Sequence, residues 1–364
     1  MPARIRVCIC GGGHVAHALT AVMGANPDVS VRVATRNPGA WSAELHGVHR
    51  GLVVVGRPEL VTADVAVALD GADIVLLAAP AFAHREIMTR IRRFVAPRSW
   101  VGALPAAGFF DWAAASELPE ARIFGAQRSP FNCRVTIPGR EVDILGVVPR
   151  LAVAASPRRF AAELVDMLGM ALSLPIDLLS NFLCVTMSPS SSIFHAARMH
   201  TLLTDWDGSR SYQDVPLFYE DWDDAASELY LRCDVELQAV CRRIPLDMSG
   251  VTPASSHYGV STAAALTARV RSLEGLRGIA VPMQMNCKGN LPDVRSRYFL
   301  EDFPFGVEAV RTVAGLAGVE TPTLDEIDAW SQRPPIAPPQ GTRAGCASRV
   351  RGRSLSDLVL HASR

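Results

Sequence analysis

Three consecutive glycines near the start of the chain carry the clearest chemical signal. Gly11, Gly12 and Gly13 follow an apolar run, Val7-Cys8-Ile9-Cys10, and lead into an alanine-rich helical pattern that opens His14-Val15-Ala16. Strand, tight turn and helix in that order predict a dinucleotide-binding opening: Gly11 permits the turn, Gly13 lets backbone approach a pyrophosphate, and Ala16 keeps the helix close to the sheet. The helix start adds N–H donors and the positive end of the helix dipole. At the end of the next apolar run, 29–34, stand Thr35 and Arg36, where an NAD site has Asp or Glu for the ribose 2′-hydroxyl. An arginine there accommodates a 2′-phosphate, and its flat cation can lie against adenine. NADP(H) is therefore expected over NAD(H). Ala79 and Pro80 close a further buried-strand pattern over 72–80, at a carboxyl strand end where doubly wound sheets hold ligands.

Composition narrows the class. A chain of 364 residues holds about two domains, and 49% hydrophobic content is ample for their cores. The 36 basic and 36 acidic side chains balance, which argues against nucleic acid or an anionic membrane as the main partner and favours small molecules. The apolar stretch before Gly11 is too short for a secretory h-region or a spanning helix, so a cytoplasmic location is expected. The eight cysteines include no CxxC pair; Cys8 and Cys10 share one strand face and read as reduced core thiols. No His, Cys or carboxylate trio has zinc spacing, and His46 and His49 read as a surface pair. Lys288 is the only lysine, so a mechanism needing a lysine acid, base or Schiff base has one candidate.

These residues require an α/β frame. Apolar runs without alternation suit a parallel sheet, with further strands expected over 100–105 and 122–128 and helices over 82–94 and 160–174. Pro138-Gly139 marks a turn between two β-rich runs in 133–148, read as a hairpin at the sheet edge. From 192 to 203 and from 222 to 243 apolar residues recur at helical spacing while strand signals nearly vanish. The acids of 221–228 suit the dipole of a helix start and read as a solvent-facing cap. The expected architecture is a Rossmann-type doubly wound sheet (1–176), an all-helical domain (177–333) and a Pro/Arg-rich tail (334–364), whose cluster Pro334-Pro335-Ile336-Ala337-Pro338-Pro339 alone suggests a disordered end.

The run Asp293-Val294-Arg295-Ser296-Arg297-Tyr298-Phe299-Leu300-Glu301-Asp302-Phe303-Pro304-Phe305-Gly306, with Gly318-Val319-Glu320-Thr321-Pro322-Thr323-Leu324-Asp325 after it, resembles the carboxyl-terminal domain of the octopine/nopaline (opine) dehydrogenase family. Ser188-Pro189-Ser190-Ser191-Ser192-Ile193-Phe194-His195 resembles the segment with that family's catalytic histidine, His17-Ala18 matches after the glycine turn, and 352–358 resembles the usual ending, which implies a tail that packs.

The resemblance implies His195 as acid/base, Asp302 as its acidic partner and Arg297 as a substrate-carboxylate anchor. A carboxylate on one imidazole nitrogen fixes the tautomer and leaves the other to move a proton; arginine can grip a carboxylate with two parallel bonds. The implied reaction is NADPH-dependent condensation of an α-keto acid with the amine of an amino acid, followed by C=N reduction to an N-(1-carboxyalkyl) amino acid. Gln127 and Arg128, leaving a strand end, could hold a second carboxylate, and His257-Tyr258 could reach the amine, against an ordinary loop or core role. The chain departs from the pattern at Ser191 and Ala196, where relatives have Asn and Pro, and at His14-Val15-Ala16, where they often have Asn-Gly-Gly. Other readings are a ketopantoate-reductase or 2-hydroxyacid-dehydrogenase type C=O reductase, a metallophore-type opine enzyme acting on a larger amine, and a non-catalytic NADP sensor. A homodimer is expected by analogy alone.

Overall fold

Successive residues of a strand point to opposite faces, so a strand buried at every position must be covered on both. Val7, Cys8, Ile9 and Cys10 are all 3% exposed or less. In the computed structural model, which describes residues 4–188, 190–287, 289–337 and 345–364, they lie in β1 (Ile5–Cys10). There follow β2 (Val29–Ala34), β3 (Leu45–His49), β4 (Leu52–Gly56), β5 (Leu60–Thr62), β6 (Ile74–Leu77), β7 (Trp100–Ala103), β8 (Arg122–Ala126), β9 (Phe131–Ile137), β10 (Glu141–Val147), β11 (Leu151–Ser156) and β12 (Ile176–Leu178).

The main sheet runs β12-β11-β8-β7-β6-β1-β2-β5. Its pairings are parallel except β8 with β11. From β5 to β8 this is the Rossmann order, reversing between β1 and β6, and ligands of such sheets bind at that switch point, beyond the carboxyl strand ends. The register Cys10↔Ala34 and Cys10↔Leu77 brings the residues after β1, β2 and β6 to one end of the sheet.

The hairpin at Pro138-Gly139 forms as β9 and β10, but not at the edge of this sheet. It belongs to a second sheet, β4-β3-β10-β9, that packs against helix His14–Gly24. β9 is buried toward its start and exposed toward its end, so it needs cover over only part of one face. β11 takes the place beside β8 instead.

One compact unit runs to Ala106, resumes over Phe110–Val185 and takes in Ala362–Arg364; the other comprises Ala107–Phe109 and Thr186–His361. The first thus extends beyond residue 176, because β12 pairs with β11. The second is helical, built on Ser190–Leu203, Asp224–Arg243, Ala254–Tyr258, Ala263–Arg271, Tyr298–Val307, Glu308–Ala317 and Pro322–Ser331, with one hairpin, β13 (Met283–Asn286) and β14 (Gly289–Pro292). A disordered tail is not what residues 345–364 form: Cys346, Val350 and Leu358 are buried and helix Leu355–Ala362 ends the chain. Pro189, Lys288 and the Pro338-Pro339 part of the proline cluster lie outside the described residues. Among the described residues no helix is long and apolar enough to cross a membrane.

Candidate active site

Gly11, with φ of +154°, makes the turn out of β1; its N–H donates to Ala34 and a Cβ there would collide with the Ala78 carbonyl oxygen. Only glycine fits. A Cβ on Gly12 would stand 2.7 Å from Thr35 Oγ1, whereas one on Gly13 would meet nothing within 4 Å. Gly13 is the N-cap of helix His14–Gly24 and supplies no side-chain cap, so the helix start presents its N–H groups beside open space. Ala16 is fully buried. Val15, Thr35, Ala79 and Pro80 are half-buried and Arg36 is exposed. The expected cofactor residues thus collect at one end of the sheet.

Two histidines on this helix fasten the β9–β10 hairpin. Val135 N–H donates to His14 Nδ1 and Gly139 N–H to His17 Nε2, each at 2.9 Å. Because Nε2 of His17 accepts, its Nδ1 carries the proton and donates to the Gly13 carbonyl at 2.9 Å. Burial pulls the His17 pKa below the ordinary imidazole value, only partly offset by the Gly13 bond, which keeps the accepting nitrogen bare near neutrality.

In the helical unit, His195 projects from helix Ser190–Leu203. Its Nδ1 lies 2.9 Å from Asp302 Oδ2, and its Nε2 lies 3.0 Å from the Tyr219 hydroxyl. The His195 side chain is 20% exposed and that of Asp302 14%. The ring is held edge-on by Phe218 (5.3 Å, 89°) and Tyr298 (4.7 Å, 82°), which stack on each other. Phe194, one residue earlier, stacks on Trp222 at 3.9 Å and also meets Tyr219, Tyr230 and Tyr258. Tyr258 therefore packs behind the histidine, and His257 is exposed.

Asp302 comes from Tyr298–Val307, a π-helical segment that contains Pro304. Proline has no N–H to give, and wider π turns recur at functional sites. About one such turn brings Arg297, Glu301 and Asp302 to one side. Arg297 Nε donates to Glu301 Oε2 at 2.6 Å and its Nη2 approaches the same oxygen at 2.5 Å. The expected carboxylate anchor is thus gripped by a carboxylate of its own chain, yet its side chain is 63% exposed. Burial opposes the Arg297 charge, but Glu301 and Asp302 outweigh it and hold its pKa above the ordinary value.

Tyr219, Glu301 and Arg198 escaped the sequence reading. Arg198, 2% exposed, donates from Nη1 to Asp223 and from Nη2 to the Asp221 carbonyl. Burial lowers its pKa against the pull of Asp223. Asp223 also caps helix Asp224–Arg243 through Ala226 N–H, so it is an internal brace as well as a cap. Only Glu301, next to Asp302, had a neighbour that could have flagged it; Tyr219 lies in a turn with no periodic signal.

In the first unit the Gln127 amide donates to the Cys184 carbonyl at 2.9 Å and Arg128 is half-buried. His46 and His49 are not a plain surface pair: both are half-buried, and His49 Nδ1 donates to the Ile144 carbonyl.

A Rossmann-order sheet ending on an uncapped glycine turn, with a helical unit that carries a carboxylate–imidazole–phenol chain, defines the class: a nicotinamide-dependent oxidoreductase. Residues 178–333 match the family model described as NAD/NADP octopine/nopaline dehydrogenase, alpha-helical domain. Octopine dehydrogenase of Mizuhopecten yessoensis is 28% identical over 361 residues, covering 90% of this chain and 89% of its own. Solved structures of octopine dehydrogenase with NADH and L-arginine, and with NADH and pyruvate, superpose with TM-scores of 0.80 and 0.79 at 25% identity, each covering 98% of both chains. Over residues 178–333 the chain thus carries the helical domain of the octopine/nopaline dehydrogenase family, and over most of its length it is similar to octopine dehydrogenase.

Proposed function

We propose that the protein condenses an α-keto acid with the amine of an amino acid and reduces the resulting C=N bond, forming an N-(1-carboxyalkyl) amino acid. The observation that carries this reading is the His195–Asp302 pair, with 2.9 Å between Nδ1 and Oδ2, inside the segment that matches the family's helical domain. A carboxylate oxygen only accepts, so Nδ1 carries a proton and Nε2 is the nitrogen that transfers one. The match to the family's helical domain, and pyruvate and L-arginine in the similar octopine dehydrogenase structures, support a keto acid and an amino acid as the substrate classes.

Arg297 would hold a substrate carboxylate. Glu301 fixes its Nε edge, and the exposed remainder of the guanidinium is left for a second carboxylate. Arg128 and Gln127 are assigned to the other carboxylate. Gly11, Gly13, His14, Val15 and Ala16 would hold the pyrophosphate, a fit supported by the open space over Gly13 and the helix start without a side-chain cap. Thr35, Ala79 and Pro80 would line the same strand ends. Bound there, the cofactor supplies the hydride for the C=N carbon. We assign a preference for NADPH to Arg36, exposed where an NAD site would carry an acid.

The test is cofactor oxidation with pyruvate, 2-oxoglutarate or oxaloacetate, each with and without a panel of amino acids. Oxidation that requires both partners is expected. Oxidation by a keto acid alone would replace this reading with a hydroxyacid dehydrogenase, and none with any pair would leave a protein that binds the cofactor without this chemistry.

A further inference from the structure

Both ring nitrogens of His195 are engaged. Nδ1 is on Asp302, and Nε2, the nitrogen the reaction needs, is on the Tyr219 hydroxyl at 3.0 Å. A substrate must therefore displace one of the two rings or act through the phenol. Displacement is resisted on both sides. The imidazole stands edge-on against the Phe218–Tyr298 stack, and the Tyr219 ring packs on Phe218 at 4.8 Å and stacks on Phe194 at 6.1 Å. The turn that carries Tyr219 is tied at its base, where Phe218 N–H donates to Ile279 and Trp222 N–H to Tyr219. Tyr219 itself is 8% exposed.

We propose that Tyr219 is a catalytic residue of this reaction: its hydroxyl meets the substrate and relays protons between it and His195 Nε2. This rests on the condensation reading above. In the resting pair, with the ring neutral, Nδ1–H is donated to Asp302 and Nε2 accepts from the phenol. The incoming ammonium gives one proton to Tyr219 Oη while the phenol passes its own to Nε2, leaving a neutral amine and an imidazolium facing Asp302. The amine nitrogen attacks the keto carbon, and a proton moves from nitrogen to oxygen to give the carbinolamine. The imidazolium then returns its proton to Oη, the phenol gives its own to the carbinolamine hydroxyl, the C–O bond breaks, and water leaves with the C=N bond formed. The three hydrogens of the ammonium end as two on water and one on the iminium nitrogen, so His195, Tyr219 and Asp302 finish as they began.

The surroundings favour this path. On the segment of Tyr219, Glu220 accepts from Gly278 N–H and Asp221 from Leu217 N–H. On the helix of His195, Arg198 is paired with Asp223. On the segment of Asp302, Arg297 is paired with Glu301. Tyr298 meets the His195 ring edge-on. Tyr219 is the group these contacts leave on Nε2.

The experiment uses the full chain and the keto acid and amino acid pair that gives the fastest cofactor oxidation. Tyr219→Phe is expected to lower kcat about 10²-fold or more, the usual scale of general acid–base assistance, with the Kd for the cofactor and the KM for the keto acid within about 2-fold of wild type. His195→Asn should lose as much, and Tyr219→Phe in that background should add little, because the two act as one unit. Replacing Tyr219 by 3-fluorotyrosine, a more acidic phenol of nearly the same shape, should retain turnover and move the alkaline limb of the kcat profile to lower pH. A Phe variant within about 2-fold of wild-type kcat, or an unmoved alkaline limb with fluorotyrosine, overturns the relay while leaving the condensation reading intact. A wild-type chain that oxidises cofactor with no pair ends both.

Discussion

At the scale of single residues, the site is defined by which atom each group holds. His195 is committed on both nitrogens, and Arg297 is pre-aimed by Glu301, a neighbour four residues on. A charge already paired has lost much of its side-chain freedom before substrate arrives, which lowers the cost of ordering it on binding. Arg36, by contrast, stands exposed at the end of β2 with the charge a 2′-phosphate needs. Arg36→Ala is expected to raise the Michaelis constant for NADPH far more than that for NADH, read from initial rates with each cofactor at saturating substrates. Equal effects on the two cofactors would remove Arg36 from their discrimination.

At the scale of elements, the glycine turn and the helix after it form one device. Gly11 is required by backbone geometry and Gly12 by its approach to Thr35, but Gly13, at φ −90° and with nothing within 4 Å of where a Cβ would stand, is required by neither. What remains is the space itself. Gly13→Ala should still fold, its stability within about 1 kcal/mol of wild type because the gain from a stiffer unfolded chain is offset by alanine's poorer fit at an N-cap, while its Kd for NADPH, by fluorescence titration, rises at least tenfold. A variant with undiminished affinity would show that the pyrophosphate lies elsewhere. The same helix bears His14 and His17, whose bonds to Val135 and Gly139 hold the hairpin, so the turn is braced from outside the main sheet.

At the scale of the molecule, neither compact unit is a continuous stretch of chain. It passes between them at 106/107, 109/110, 185/186 and 361/362. The tail consequently belongs to the folded body: Cys346 N–H donates to Pro304, Arg349 Nη1 to Gly108, and Leu358 is fully buried. Leu358→Ala should cost about 2–5 kcal/mol of unfolding free energy, the range for emptying a buried leucine site. Leu360→Ala, at a position 63% exposed on the same helix, should stay within about 0.5 kcal/mol. Urea titration of the two variants separates an integrated tail from a loosely attached one, for which both would be near neutral.

The sequence by itself determined whatever local periodicity and backbone geometry encode. Uninterrupted apolar runs announced β1, β6 and β7, because strands buried on both faces have no polar side. Gly11 announced the turn, and the helices at Ser190–Leu203 and Asp224–Arg243 followed from their 3.6-residue spacing. The resemblance of 188–195 and 293–306 to the opine dehydrogenase family implied His195 and Asp302 as partners although 107 residues separate them. Only the tertiary structure decided that the 131–147 hairpin pairs with β3 instead of closing the main sheet, that Glu301 takes the Nε edge of Arg297, and that Tyr219 caps His195. Each of these depends on which surfaces meet after distant segments have folded, and a hydrogen bond between residues far apart in the chain leaves no period in the sequence to read.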